Sequence, residues 1–167
     1  LVPLINRYND EIGSTRFVDF DTTRNVWPTD EGKSHISHVV CDTDSWEQKA
    51  AQAIEEMDEV ICYAKNHNLG FTIPYTLNGE TKRYIPDFIV RLDDGHGRAD
   101  PLNLILEVSG QKDGKVGQAK QAKTETARTL WVPAINNAGE YGRWAFIEIS
   151  DPWDLKNTVS AFMGVRA

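Results

Sequence analysis

Two carboxylates stand where carboxylates are costly. Asp87 lies within Tyr84-Ile85-Pro86-Asp87-Phe88-Ile89-Val90 and Glu107 within Leu104-Ile105-Leu106-Glu107-Val108, both runs otherwise mostly apolar. A charge on a central strand is expensive unless it is paired, hydrogen-bonded or bound to a metal. Side chains alternate along a strand, so Ile105, Glu107 and Ser109 share one face while Leu104, Leu106 and Val108 share the other. If the strands bearing Asp87 and Glu107 are neighbours, both acids converge on one divalent cation. Mg²⁺ takes one or two carboxylates together with water and phosphate oxygens, so the pair suits phosphodiester chemistry. The ordinary alternative is that each acid pairs with a lysine or accepts backbone donors, and spacing alone favours it.

Other chemistry-bearing groups are weaker. His35, His38 and Cys41 have an H-x₂-H-x₂-C spacing that suggests zinc. On a strand over 36–40, however, the two histidines face opposite ways and no fourth ligand is evident. Cys41 and Cys62 are expected to pack as small apolar residues. Trp27, Trp46, Trp131, Trp144 and Trp153 are scattered, unlike a base-stacking platform; most read as core, with Trp131 beside Asn136-Asn137 near a groove. Gly110 to Lys115 lacks the spacing of a phosphate-binding loop.

The elements that must position these groups follow from pattern. A helix opens near Asp42–Ser45, with Asp44 and Glu47 as a capping box and Trp46, Ala50, Ala53, Met57, Val60 and Ala64 on one face. Asn66, Asn68 and Gly70 end it. Asn78-Gly79 between 71–77 and 81–92 signals a hairpin, with Pro74 and Pro86 at edges or strand ends. Asn103–Val108 reads as a central strand, 115–131 as a second helix and Trp144–Ile149 as another strand. A last helix starts at Pro152, and short strands are expected over Arg16–Asp21 and Ile36–Val40. The layout is α/β with a mixed sheet.

At these residues the chain resembles the PD-(D/E)xK nucleases. It is most similar to the C-terminal endonuclease domain of the restriction subunit of type III restriction enzymes. The resemblance is carried by Ser45-Trp46-Glu47, Ile73-Pro74-Tyr75, Tyr84–Phe88, Glu107-Val108-Ser109-Gly110, Trp131–Asn136 and Gly142–Phe146. It covers roughly 44–150, the first forty residues matching only loosely, and the whole of 1–167 reads as one nuclease domain. It implies a restriction-endonuclease-like mixed β-sheet flanked by helices, and Mg²⁺-dependent (Mn²⁺ possible) hydrolysis of DNA phosphodiesters. Asp87 and Glu107 become the metal ligands, and Glu47, the capping-box residue of the alternative reading, joins them. Gln111, by its proximity to Glu107, is expected to contact DNA or metal-bound water, and Lys112 and Lys115 are expected DNA contacts. Double-stranded DNA is the implied substrate. A helicase/ATPase domain of the same polypeptide, which would bind the ATP, and a modification methyltransferase subunit are the implied partners.

One departure cuts across the match. Where the motif has lysine, two residues beyond the glutamate, this chain has Ser109. By resemblance that lysine activates the attacking water and steadies charge on the phosphate, which a neutral hydroxyl does not do in the same way. Three explanations stay open. Another lysine substitutes, among Lys112, Lys115, Lys120 and Lys123, with Lys120 and Lys123 sharing a helix face. Or the metal suffices for slow cleavage. Or the domain is cleavage-deficient and only binds or scaffolds DNA.

Composition sets the bounds. The 167 residues are 40% apolar, which fits one domain with a core rather than a disordered tail. No apolar run approaches the ~18 residues of a membrane span, and two cysteines make no disulfide framework, so cytoplasm is the expected location. The chain opens Leu1-Val2-Pro3 and reads as a piece of a longer polypeptide. A net charge of −7 argues against nucleic acid at first sight. Yet 42–60 holds seven acids against one base, whereas 111–128 holds five bases against two acids. The acidity belongs to one helix, expected to turn most of it to solvent.

Overall fold

Leu102–Val108 (β7) is buried at six of its seven positions, which requires cover on both faces. In the computed structural model, which describes residues 14–41, 46–109 and 117–166, that cover comes from helices on both sides of a mixed sheet. The sheet order is Val60–Lys65 (β3), Phe88–Leu92 (β6), β7, Arg143–Ile149 (β8). β3, β6 and β7 are antiparallel in turn, and β7 and β8 run parallel. Parallel neighbours need a long crossover, here Gln118–Thr126 (α2) and Val132–Ala138 (α3).

The alternation expected along β7 holds. Leu102, Leu104 and Leu106 join Ala50, Ile54, Leu155 and Val159 in the larger core, made with Trp46–Glu55 (α1) and Leu155–Arg166 (α4). Ile105 joins Tyr84, Ala127 and Phe146 on the opposite face, under the helical segment that follows α2.

Two small sheets flank this layer. Ile73–Leu77 (β4) and Glu80–Tyr84 (β5) form the expected hairpin, pairing Leu77 with Glu80 around Asn78-Gly79. Both turn residues have positive φ, 51° and 78°, as a two-residue turn matching strand twist requires. Asn25–Pro28 (β1) pairs with His38–Cys41 (β2), the latter overlapping the strand expected over 36–40 but shifted towards Cys41.

Four expectations are corrected. The first helix stops at Glu55 rather than continuing through Ala64. The Met57 and Val60 carbonyls instead accept from Lys33 Nζ at 2.9 and 2.6 Å, and the β-prone run Val60-Ile61-Cys62-Tyr63 pairs with β6. Met57, Val60 and Ala64 are buried as the helical spacing demanded, but by a turn and a strand. Arg16–Asp21 contains no strand; Thr15–Phe17 is a 3-10 turn capped by the Ser14 hydroxyl. The run 81–92 is not one strand: it breaks at Ile85–Asp87 into strands of different sheets, with Pro86, expected at an edge or strand end, in the break. Finally, the second helix does not end at Trp131. It passes through a π-turn at Ala127–Trp131 and, despite Pro133, continues to Gly139 with φ 71°. A π-turn is one way a helix accommodates a residue lacking its N–H.

Candidate functional site

β6 and β7 are neighbours, with Phe88 opposite Leu106. Asp87, entering β6, therefore meets the Glu107 end of β7. The Val108 N–H donates to Asp87 Oδ2 at 2.8 Å, and Lys65 Nζ, at the end of β3, lies 3.1 Å from Oδ1. Glu107 accepts from the Tyr84 hydroxyl at Oε2, 2.7 Å, while Lys123 Nζ stands 3.5 Å from Oε1. Each acid thus has a lysine and a hydrogen-bond donor, the ordinary pairing weighed from spacing, and the two acids are close enough to repel each other.

The electrostatics are not balanced. Burial, and then the charge of Asp87, push the Glu107 carboxyl above its ordinary value, against the Tyr84 hydroxyl bond and the Lys123 charge. Burial and then Glu107 raise the Tyr84 phenol far above its usual range, so it remains a neutral donor.

A third acid joins them. Glu148 on β8 is opposite Glu107 in the parallel register. It accepts from the buried Ser109 hydroxyl at 2.5 Å and has Lys120 Nζ at 3.5 Å. The Ser109 backbone is tied to Ile149 O at 2.8 Å. Asp87, Glu107 and Glu148 thus face Lys65, Lys123 and Lys120 respectively. Of the sequence candidates, Asp87, Glu107, Ser109, Lys120 and Lys123 come together. Glu47 is buried on α1, but no group of three acid, histidine or cysteine side chains among the described residues is arranged to hold a metal. Gln111, Lys112, Lys115 and the capping residue Asp44 lie outside the described residues.

Lys65, Tyr84 and Glu148 escaped the sequence argument. Lys65 was hidden by the helix assigned across it. Tyr84 stood in the quoted Tyr-x-Pro-Asp string with no role attached, and Glu148 is an acid in an apolar strand like Glu107. At the H-x₂-H-x₂-C spacing, His35 and His38 contact Thr15 Oγ1 and Ser37 Oγ at 3.4 and 2.9 Å. Cys41 and Cys62 form no disulfide, and Cys41 packs in the core. Trp131 and Trp144 pack with Phe71, whereas Trp153 is 74% exposed under Lys49. A groove of about 220 Å³ beside Trp153 is lined by none of the site residues.

A divalent cation fits the donor set. Two carboxylates side by side, one held above its ordinary value by burial and the other's charge, form a site that added positive charge relieves. No family model, curated protein or solved structure matches the chain. Among the described residues, no helix is long and apolar enough to cross a membrane.

Proposed function

We propose that this chain is a Mg²⁺-dependent DNA endonuclease module of the type III restriction kind, hydrolysing phosphodiester bonds in double-stranded DNA. The observation that carries the proposal is the meeting of Asp87 and Glu107 at the ends of adjacent central strands, with a lysine against each. The order α1, β3, β6, β7, α2, β8, with Asp87 leading into β6 and Glu107 near the end of β7, supports the restriction-endonuclease-like core. In this reading Asp87 and Glu107 hold the cation. A bound Mg²⁺ supplies an acidified water and offsets charge on the phosphate. The Val108 N–H and Lys65 fix the Asp87 carboxylate, and Tyr84 fixes that of Glu107. The module would work in the cytoplasm beside an ATPase domain and a methyltransferase subunit, with sequence recognition in another domain or subunit.

Asp87→Ala and Glu107→Ala are expected to lower Mg²⁺-dependent plasmid cleavage by about a thousandfold or more, since several kcal/mol of charge stabilisation go with the cation. Full activity in either variant rejects the assignment.

A second reading is favoured by one observation. The Ser109 hydroxyl is buried and bonded to Glu148, so the motif position offers nothing to a phosphate. A cleavage-deficient DNA-binding or scaffolding domain follows if the intact protein nicks no plasmid with Mg²⁺ or Mn²⁺ yet retains DNA.

A further inference from the structure

Ser109 leaves the motif's positive charge unplaced, and three lysines surround the acids. We infer that Lys123 supplies that charge from α2, resting on Glu107 while the carboxylates carry no divalent cation and turning to the scissile phosphate once they do. The inference rests on the nuclease reading and adds to it the residue and the exchange.

The alternatives are placed for other work. The Lys65 side chain is only 6% exposed and is engaged by Asp87 on the β3 side, away from Glu107. Lys120 lies at Glu148, on the strand beyond Glu107. Lys123 is 28% exposed and stands beside Glu107 itself. Glu107 and Ser109 project from the face of β7 that carries Ile105, and α2 leads into Ala127, which packs against Ile105 and Tyr84 on that same face. An ammonium from α2 therefore approaches on the side where the motif lysine would project.

The contact is also suited to release. At 3.5 Å, Lys123 to Glu107 is longer than a hydrogen bond, unlike the 2.7 Å bond from Tyr84. The ammonium lies 4.8 Å from the Tyr84 ring centre, and its four-carbon stem gives it reach. Its root is fixed: the buried Thr124 hydroxyl bonds Lys120 O at 3.0 Å. Because a cation on the carboxylates and the Lys123 ammonium oppose each other at Glu107 Oε1, the lysine has two separable effects. It weakens cation binding and promotes cleavage.

The test measures both on the intact protein, by Mn²⁺ calorimetry and by single-turnover plasmid cleavage. Lys123→Met is expected to bind Mn²⁺ about threefold to tenfold more tightly, from removal of a nearby like charge, while cleaving about a hundredfold more slowly. Lys123→Arg should keep wild-type Mn²⁺ affinity and recover part of the rate. A Lys123→Met protein that cleaves at the wild-type rate, or binds Mn²⁺ no more tightly, overturns the inference. If the wild type binds Mn²⁺ no better than Asp87→Ala and neither cleaves, the nuclease reading fails and takes this inference with it.

Discussion

The two ends of the central sheet each carry a buried acid, and they treat it in opposite ways. At the end where β7 and β8 begin, Asp94 is gripped by Arg143 through two bonds of 2.7 Å, and Arg143 also reaches Asp100. The Arg143 bonds hold the Asp94 carboxyl well below the usual carboxylate range. Asn103 completes that end, bonding both Arg91 and the Arg143 carbonyl. At the other end Glu107 is held above its ordinary value, beside a second acid and with its lysine beyond hydrogen-bond range. Matched charge at one end stabilises the fold. At the other end burial and a neighbouring acid make the Glu107 charge unfavourable despite its lysine.

The largest expected effect on stability lies at the matched end. Arg143→Met strands the Asp94 carboxylate, whose side chain is 1% exposed. With Arg143 partly exposed, the loss is expected at about 2–3 kcal/mol in urea unfolding, below the full penalty for breaking a buried pair. Because the Asp94 value is depressed on folding, this stabilisation is present above the unfolded carboxyl value near about 3.9 and disappears as pH falls below it. The gap between wild type and variant should close in acid.

Glu107→Gln should act the other way and by less, raising stability by about 1 kcal/mol at neutral pH while abolishing cleavage under the nuclease reading. The Glu107 value is raised on folding, so its charge costs stability only above the unfolded value near about 4.3, and the gain should vanish on acidification. Thermal melts from pH 3 to 8 give both slopes. If Glu107→Gln destabilises as Arg143→Met does, the contrast between the two ends is wrong. Smallest is Ser109→Ala, about 0.5–1 kcal/mol for one lost hydrogen bond, read from the same urea curves.

Much of the sheet was legible because the sequence alternates cleanly there. Leu104, Ile105, Leu106 and Glu107 divide between two faces as pattern alone predicts, and Asn78-Gly79 has few conformations open to it between two β-rich runs. Where the pattern was ambiguous the fold was misread. Met57, Val60 and Ala64 satisfy a helical stripe and a turn followed by a strand equally well, and pairing with β6 decides between them, helped by the Lys33 contact to the Met57 and Val60 carbonyls. That contact spans more than twenty residues and leaves no local trace. The same ambiguity concealed Lys65. For the site, an acid in an apolar strand was a sound signal at Asp87 and Glu107; applied evenly it also finds Glu148. Of the described acids over 46–60, Glu56, Asp58 and Glu59 are exposed as expected, and two are not. Glu47 is buried, and Glu55 takes the Tyr63 hydroxyl at 2.7 Å and the Asp30 N–H at 2.8 Å.

Tyr84 belongs to two assemblies. It ends β5 of a hairpin that shares no strand with the central sheet, and its hydroxyl ends on Glu107. A two-stranded hairpin is marginal by itself, so the buried base formed by Ile73 and Tyr84 is what keeps this one closed. Loss of the Tyr84 to Glu107 bond, as in Tyr84→Phe, is therefore expected to speed amide exchange along β4 and β5, strands that pair with neither β6 nor β7.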